Sequence, residues 1–110
     1  MTLRQKQSLF VKKIALLIHY AHEMGYELTF GDAARSQEEA SRLGFPNSNH
    51  VRRLAVDFNL FRNGRYLTST EAHKPLGEFW ESLSTDEVEC CWGGRFEDGN
   101  HYSFKHGNVR

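Results

Sequence analysis

The sequence lacks the features that mark several large classes of protein. It has only two prolines and two cysteines in 110 residues, and fourteen acidic side chains offset its fourteen basic ones. Because there is no excess of positive charge, the chain lacks the electric field that attracts a phosphate backbone, and we expect no nucleic acid partner. A chain of this length folds as one domain with one modest core.

Long apolar stretches are also missing. Residues 1–7 contain no apolar core of a signal peptide, and the apolar run that comes after them is interrupted by Lys12 and Lys13. The sequence therefore predicts neither a secretion signal nor a membrane-spanning segment. We expect a protein that is made in the cytoplasm and that does not insert stably into a membrane.

The two cysteines, Cys90 and Cys91, are neighbours in the sequence. Adjacent residues rarely form a disulfide, because the bond between them is strained. We therefore expect free thiols in a reducing compartment, packed as small side chains in a strand beside Trp92. A zinc ligand from this pair is the less favoured alternative.

Helical patterns occur at three places, and the first is the longest. Thr2 and Gln5 form a capping-box signature, and apolar residues at helical spacing extend this helix toward Gly25. His19 and His22 lie three residues apart on the same helix and therefore close together. Because no third ligand is near them in the sequence, a surface or half-buried position is favoured over a metal site.

The second and third helices are shorter. Ser36 opens a second capping-box signature, and Ser69 or Thr70 is the predicted cap of the third helix. Pro75 comes after this cap and is expected to be tolerated only in the first helical turn, where its missing N–H is not needed. Trp80 is expected to lie in the core.

Alternating apolar and polar residues predict four strands, at Tyr26–Phe30, Ala55–Phe61, Val88–Trp92 and His101–Phe104. The Asn63-Gly64 pair after the second strand is a strong hairpin signal. Three helical stretches with these strands between them predict a single α+β domain over residues 1–110. Its helices are expected to pack on one face of an antiparallel sheet, and the other face carries the candidate site.

In two strands, the alternation of polar and apolar residues places polar side chains on the sheet face that does not pack against the helices. In the strand Ala55–Phe61 the apolar residues Val56, Phe58 and Leu60 share one face, and Asp57 falls on the other. His101 lies on the polar face of its own strand in the same way. If these strands are neighbours, Asp57 and His101 lie side by side.

Imidazole and carboxylate groups at these positions match the ligands of zinc. A catalytic zinc ion takes three protein ligands and leaves a fourth position open, and His50, Asp57 and His101 fill those three places. Asp98 is left over three residues before a ligand, where it can take a proton from water. His106 is the rival third ligand, although it falls on the opposite strand face if the strand continues that far.

Several short motifs make the chain similar to a known family. They are Ser48-x-His50 with an aspartate seven residues after the histidine, Trp92-Gly93-Gly94, and Asp98-x-x-His101. Together they resemble the zinc D-alanyl-D-alanine carboxypeptidase family, and more closely its short phage branch, the L-alanyl-D-glutamate endopeptidases that act as endolysins. The resemblance covers nearly the whole chain, from Arg35-Ser36 to His101.

The resemblance implies a role for individual residues. By position, the family's metal ligands fall on His50, Asp57 and His101, its catalytic acid/base on Asp98, and its substrate-polarising arginine on Arg35. It also implies the hedgehog/DD-peptidase-like fold, with a zinc cleft on the sheet face away from the helices.

Two further positions near His50 belong to this expectation. The hydroxyl of Ser48 is expected to orient the ligands or the substrate. Arg53 departs from the family, since many members have glycine three residues after the first histidine. Because that glycine serves the backbone and is not a ligand, we expect the departure to affect the loop more than the chemistry.

The function that the resemblance implies is zinc-dependent hydrolysis of the stem peptide of bacterial peptidoglycan. We expect a monomeric endolysin of the L-alanyl-D-glutamate endopeptidase type, which reaches the periplasmic peptidoglycan once the membrane is permeabilised. The alternatives are a D-alanyl-D-alanine carboxypeptidase and a catalytically silent wall-binding or virion protein on the same fold. A different zinc hydrolase, such as a phosphoesterase or nuclease, is expected to show a second metal cluster or a basic groove.

Overall fold

The computed structural model describes residues 1–34, 36–44 and 48–110. Its helices are α1 (Leu3–Glu23), α2 (Gln37–Arg42) and α3 (Thr70–Ser82), with a short 3₁₀ helix at Gly93–Phe96. Its strands are β1 (Glu27–Phe30), β2 (Ala55–Arg62), β3 (Arg65–Leu67), β4 (Cys90–Trp92) and β5 (His101–Phe104). Within these residues, no helix has the length and apolar character needed to cross a membrane.

The strands form one antiparallel sheet, as predicted. Its order is β1-β2-β5-β4, and β3 pairs with β2. The Asn63-Gly64 hairpin joins β2 to β3, and both turn residues have positive φ angles, 53° and 74°, as a tight two-residue hairpin turn requires. The prediction of an α+β domain with an antiparallel sheet is confirmed.

One face of the sheet forms the core together with α1 and α3. Val56, Phe58 and Leu60 of β2 are buried on this face, as their phase predicts. Trp80 of α3 is fully buried, and its indole N–H donates to the carbonyl oxygens of Cys91 and Ser103 at 3.1 Å each. Full burial of such a side chain is worth about 1.5–3 kcal/mol, so these contacts fix the helices against β4 and β5.

Two details of the elements differ from the sequence prediction. Pro75 lies in the second turn of α3 and not in the first, so the prediction for this residue is wrong. The helix loses one backbone hydrogen bond there, a cost of about 3 kcal/mol, but it buries Leu76 and Trp80 completely. The fourth strand is also shorter than predicted, since it begins at Cys90.

His73 is a buried histidine on the core side of α3. It is 2% exposed, and its Nδ1 lies 2.8 Å from the hydroxyl oxygen of Tyr102. Burial lowers the pKa of His73 to about 4, because a charged imidazolium loses its hydration inside the core. At neutral pH this residue is therefore uncharged.

The buried position of His73 predicts that acid destabilises the fold. In the unfolded chain His73 takes a proton near its ordinary pKa of 6.5, but in the folded chain only near 4. Its contribution to stability is therefore complete above pH 6.5 and is lost as the pH falls toward 4, by up to about 3 kcal/mol. Urea unfolding of wild type and His73→Gln at several pH values measures this loss. The free energy of unfolding of the variant should decline less steeply as the pH falls. His22→Gln, at an exposed position on α1, is the control. Equal declines in wild type and His73→Gln would refute this account.

Candidate metal centre

Strand register brings two of the predicted ligands together. Asp57 of β2 is the direct partner of His101 of β5, and the Nδ1 atom of His101 lies 3.3 Å from Oδ1 of Asp57. His50, from the loop before β2, places its Nε2 3.3 Å from the same oxygen. The structure thus gathers around one carboxylate two imidazoles that are far from each other in the sequence.

The loop that carries His50 is held by its own side chains. Ser48 Oγ accepts a hydrogen bond from the backbone N–H of His50 at 3.1 Å. Asn49 is buried, and its side-chain amide donates to the carbonyl oxygens of Phe104 at 2.9 Å and Val109 at 3.0 Å. Asn49 therefore fastens the loop to the end of β5 and to the segment after it. No sequence signal marked Asn49, whereas Ser48 was expected to orient a ligand and contacts the backbone of one.

Arg53 has a backbone conformation that glycine adopts more easily than other residues do. Its φ angle is 58°, in the left-handed region that glycine enters without steric cost and other residues enter at about 1–2 kcal/mol. The backbone N–H of Arg53 donates to the carbonyl oxygen of His50 at 3.2 Å, which closes the turn after the ligand. The loop keeps the conformation that suits glycine even though the residue is arginine.

Asp98 and His101 are set by a tight turn around Gly93. The backbone N–H of Asp98 donates to the Gly93 carbonyl at 2.8 Å, and that of His101 donates to the Asp98 carbonyl at 3.0 Å. A Cβ atom on Gly93 would lie 2.0 Å from the Asp98 carbonyl oxygen, so no larger residue fits. The indole N–H of Trp92 donates to the Gly99 carbonyl at 2.7 Å. The Trp-Gly-Gly motif therefore shapes the turn that positions Asp98 and His101.

The pKa values of Asp57 and Asp98 are shifted in opposite directions from their ordinary value. Burial alone would raise the pKa of Asp57, but hydrogen bonds and charges from His101 and His50 outweigh it and lower the pKa to about 2. Burial raises the pKa of Asp98 above its ordinary value, and the charge of Asp57 raises it further, against the opposing effect of His101. Asp57 is thus an anion suited to a cation, while the raised pKa of Asp98 favours its protonated form.

The donor set fits a metal ion. One ligand atom from each of His50, Asp57 and His101 lies within 4.8 Å of the other two, and neutral imidazole nitrogens with one carboxylate are ligands that zinc accepts. In the described ranges no other three His, Cys, Asp or Glu side chains come so close. Asp98 stands beside this group, with Oδ2 3.9 Å from His101 Nδ1.

Buried polar atoms without partners are concentrated at the same place. Among the residues described, the side chains with such an atom are His50, His101, Asn49 and Ser103. Two of these are predicted ligands, and each of the others is one or two residues from a ligand. Buried polar groups without partners are uncommon in folded proteins. In the two histidines these atoms are Nδ1 of His50 and Nε2 of His101, the ring nitrogens that do not face Asp57.

The remaining candidates lie elsewhere or outside the described residues. Arg35, the predicted substrate-polarising residue, lies outside them. The rival ligand His106 comes after the end of β5, and its Nδ1 is 3.1 Å from Nζ of Lys6. Cys90 and Cys91 are free and buried, and burial raises the pKa of their thiols to about 11 and 12. Neither cysteine belongs to the group around Asp57.

Comparison of the sequence with models of known protein families finds no match, and comparison with curated protein sequences finds none either. The function of the chain is therefore inferred from the geometry around Asp57 and from the motifs that resemble the zinc carboxypeptidase family.

Proposed function

We propose that the protein is a zinc peptidase that hydrolyses the stem peptide of bacterial peptidoglycan. The observation that carries the proposal is the convergence of His50 and His101 on one carboxylate oxygen of Asp57, with Asp98 beside them. Three nitrogen and oxygen ligands plus a neighbouring carboxylate are the composition of a catalytic zinc site, in which one position stays open.

Zinc is the metal that we propose for these ligands, because the motifs resemble those of a zinc peptidase family. Two imidazoles with a single carboxylate suit zinc as well as iron(II), whereas calcium and magnesium prefer six or more oxygen ligands. The described residues contain no second cluster of ligands, and the chain has no net charge. Both observations disfavour a two-metal phosphoesterase or nuclease.

A few residues carry out the proposed hydrolysis. When bound, zinc supplies a Lewis acid that polarises the scissile carbonyl group and acidifies water. His50, Asp57 and His101 would hold the ion, and the ring nitrogens nearest to Asp57 are Nε2 of His50 and Nδ1 of His101. Asp98, with its raised pKa, takes the proton of the attacking water and passes it to the leaving amine. Arg35 stabilises the negative charge that develops on the carbonyl oxygen.

The substrate and biological role rest on the motif resemblance. It supports a hedgehog/DD-peptidase-like fold, a zinc cleft on the open sheet face, and cleavage between L-alanine and D-glutamate. A monomeric endolysin with this activity acts in the periplasm after the membrane has been permeabilised.

The proposal is tested by metal content and by product analysis together. Protein purified without chelator is expected to contain one zinc per chain, to cleave purified muropeptides, and to lose this activity in chelator. Mass spectrometry of the products distinguishes cleavage after L-alanine from removal of terminal D-alanine. Absence of metal together with activity that survives chelation would overturn the zinc site. Full metal content without cleavage of any muropeptide would overturn the peptidase and favour a silent wall-binding protein.

A further inference from the structure

Of the three proposed metal ligands, His50 alone lies outside the sheet. Asp57 and His101 belong to β2 and β5, where they are direct partners in the antiparallel ladder. His50 lies in the loop before β2, yet its Nε2 is only 3.3 Å from Oδ1 of Asp57. The ladder fixes the first two ligands relative to each other. The position of His50 depends instead on how its loop is attached to the rest of the fold.

Backbone hydrogen bonds close this loop into a compact turn. The N–H of Arg53 donates to the His50 carbonyl at 3.2 Å, and the N–H of Leu54 donates to the Asn49 carbonyl at 2.9 Å. Arg53 has a φ angle of 58°, which is unfavourable for a residue other than glycine. Such a conformation persists only where surrounding contacts enforce it. The turn therefore needs contacts from outside the loop.

Asn49 supplies such contacts directly beside the ligand. It is 1% exposed, and its side-chain amide donates to the carbonyl oxygens of Phe104 at 2.9 Å and Val109 at 3.0 Å. An amide nitrogen has two donors, and here both are used. The side chain of Asn49, and with it the backbone that leads into His50, is thereby held in one orientation.

The two carbonyl groups that accept from this amide are themselves held in place. Phe104 is the last residue of β5 and is fully buried. Val109 exchanges two backbone hydrogen bonds with His106, at 2.8 and 3.0 Å. Lys6 of α1 donates to the Lys105 carbonyl at 2.8 Å, which attaches the segment after β5 to the helix. Both acceptors therefore have fixed positions relative to α1 and the sheet.

The third polar atom of the Asn49 side chain shows why an amide suits this position. Oδ1 is buried and has no hydrogen-bond partner among the described residues. Leucine has the same branching and would avoid this unpaired acceptor. It would, however, deprive the carbonyl groups of Phe104 and Val109 of one donor each, and lost partners are costly inside a protein. The two donated hydrogen bonds are thus what the amide contributes here.

We propose that Asn49 is a positioning residue for the metal ligand His50, and that its two hydrogen bonds set the affinity of the centre for zinc. The inference rests on the proposed zinc site. Because Asn49 is buried and its amide donates to backbone carbonyls, it acts through the loop of His50 and not on the substrate.

The first test measures the zinc affinity of Asn49→Leu by competition with a fluorescent chelator, well below the melting temperature. Leucine keeps the shape of the side chain and removes both donors. Residues that support a ligand typically contribute 10- to 100-fold to metal affinity, so the dissociation constant should rise by that factor although His50 is present. An unchanged dissociation constant would overturn the proposal.

The matched control is Trp80→Phe. It also removes one buried N–H that two carbonyl groups share, at 3.1 Å each, but on the side of the sheet that packs against the helices. This variant should lower the melting temperature and leave the zinc affinity of the folded protein unchanged. An equal loss of affinity in both variants would reduce the role of Asn49 to general stability.

The second test uses metal-free protein and therefore does not depend on zinc. Hydrogen exchange of the backbone amides, followed by NMR, reports local opening of the loop. Loss of two hydrogen bonds in Asn49→Leu should accelerate exchange at Arg53 and Leu54 about 10-fold relative to the amides of β5. Trp80→Phe should not accelerate exchange in the loop more than in β5. Equal relative rates in wild type and Asn49→Leu would contradict the attachment of the loop by Asn49.

The outcomes separate this inference from the proposed peptidase. If wild type binds zinc and cleaves muropeptides while Asn49→Leu keeps wild-type affinity, the positioning role is refuted and the peptidase stands. If wild type binds no zinc, the zinc site falls, and hydrogen exchange alone decides whether Asn49 fixes the loop of His50. Should Asn49→Leu fail to fold, Asn49→Ser, which keeps a single donor, replaces it in both measurements, and wild-type values for that variant would refute the proposal.

Discussion

Replacing Asp98 with alanine is expected to abolish most of the activity and to leave the metal in place. Asp98 lies 3.9 Å from the nearest ligand nitrogen and half of its side chain is exposed, so it is not needed to hold the ion. A positioned general acid/base contributes about 10²- to 10⁴-fold to the rate, and kcat should fall by that factor. Bound zinc and the melting temperature should stay near those of wild type. Zinc analysis, thermal melting and muropeptide hydrolysis of the purified variant measure all three.

The control for this variant is Asp86→Ala, which removes an exposed aspartate from the loop between α3 and β4. It should keep full activity. Two outcomes would show that Asp98 has been given the wrong role. One is full activity of Asp98→Ala, and the other is loss of its metal as complete as that of a ligand variant.

Replacing His101 with alanine is expected to remove metal and activity together. His101 is 6% exposed and would supply one of the three ligand atoms of the proposed zinc site. Loss of a residue that merely supports a ligand typically costs 10- to 100-fold in metal affinity, so loss of the ligand itself should cost more than about 100-fold. Competition with a fluorescent chelator measures the affinity. His22→Ala, on the exposed part of α1, controls for the loss of an imidazole. A His101→Ala protein that binds zinc as wild type does would exclude His101 from the ligand set.

The sequence predicted the strands of the sheet and the faces on which Asp57 and His101 lie, because both depend on alternation. The alternation in β2 placed Asp57 on the other sheet face from Val56 and Phe58, and the structure pairs Asp57 with His101 of β5. Pairing of β2 with β5 was a conditional expectation, since alternation fixes a face but not a neighbour. The capping box of Thr2 is likewise a local signal, and the structure confirms it.

Other features could not be predicted because they depend on tertiary packing. Pro75 is tolerated in the second turn of α3 because buried neighbours outweigh the lost hydrogen bond, which propensity alone does not reveal. Asn49 holds the loop of His50 to carbonyl groups 55 and 60 residues away, and no local pattern marks such contacts. The catalytic roles of Asp98 and Arg35 stay predictions, and Arg35 lies outside the described residues.

Asp57 and His101 are 44 positions apart in the sequence, and this separation would link the binding of the proposed zinc ion to the thermodynamics of folding. An unfolded chain holds these donors far apart, so the ion binds almost only to the folded chain. Mass action then stabilises the fold by about 2.7 kcal/mol when free zinc reaches 100 times its dissociation constant, and by about 4.1 kcal/mol at 1,000 times. Those values are a large share of the total stability of a small domain. In the proposed site, the supply of free zinc would therefore set part of the free energy of unfolding, independently of any substrate.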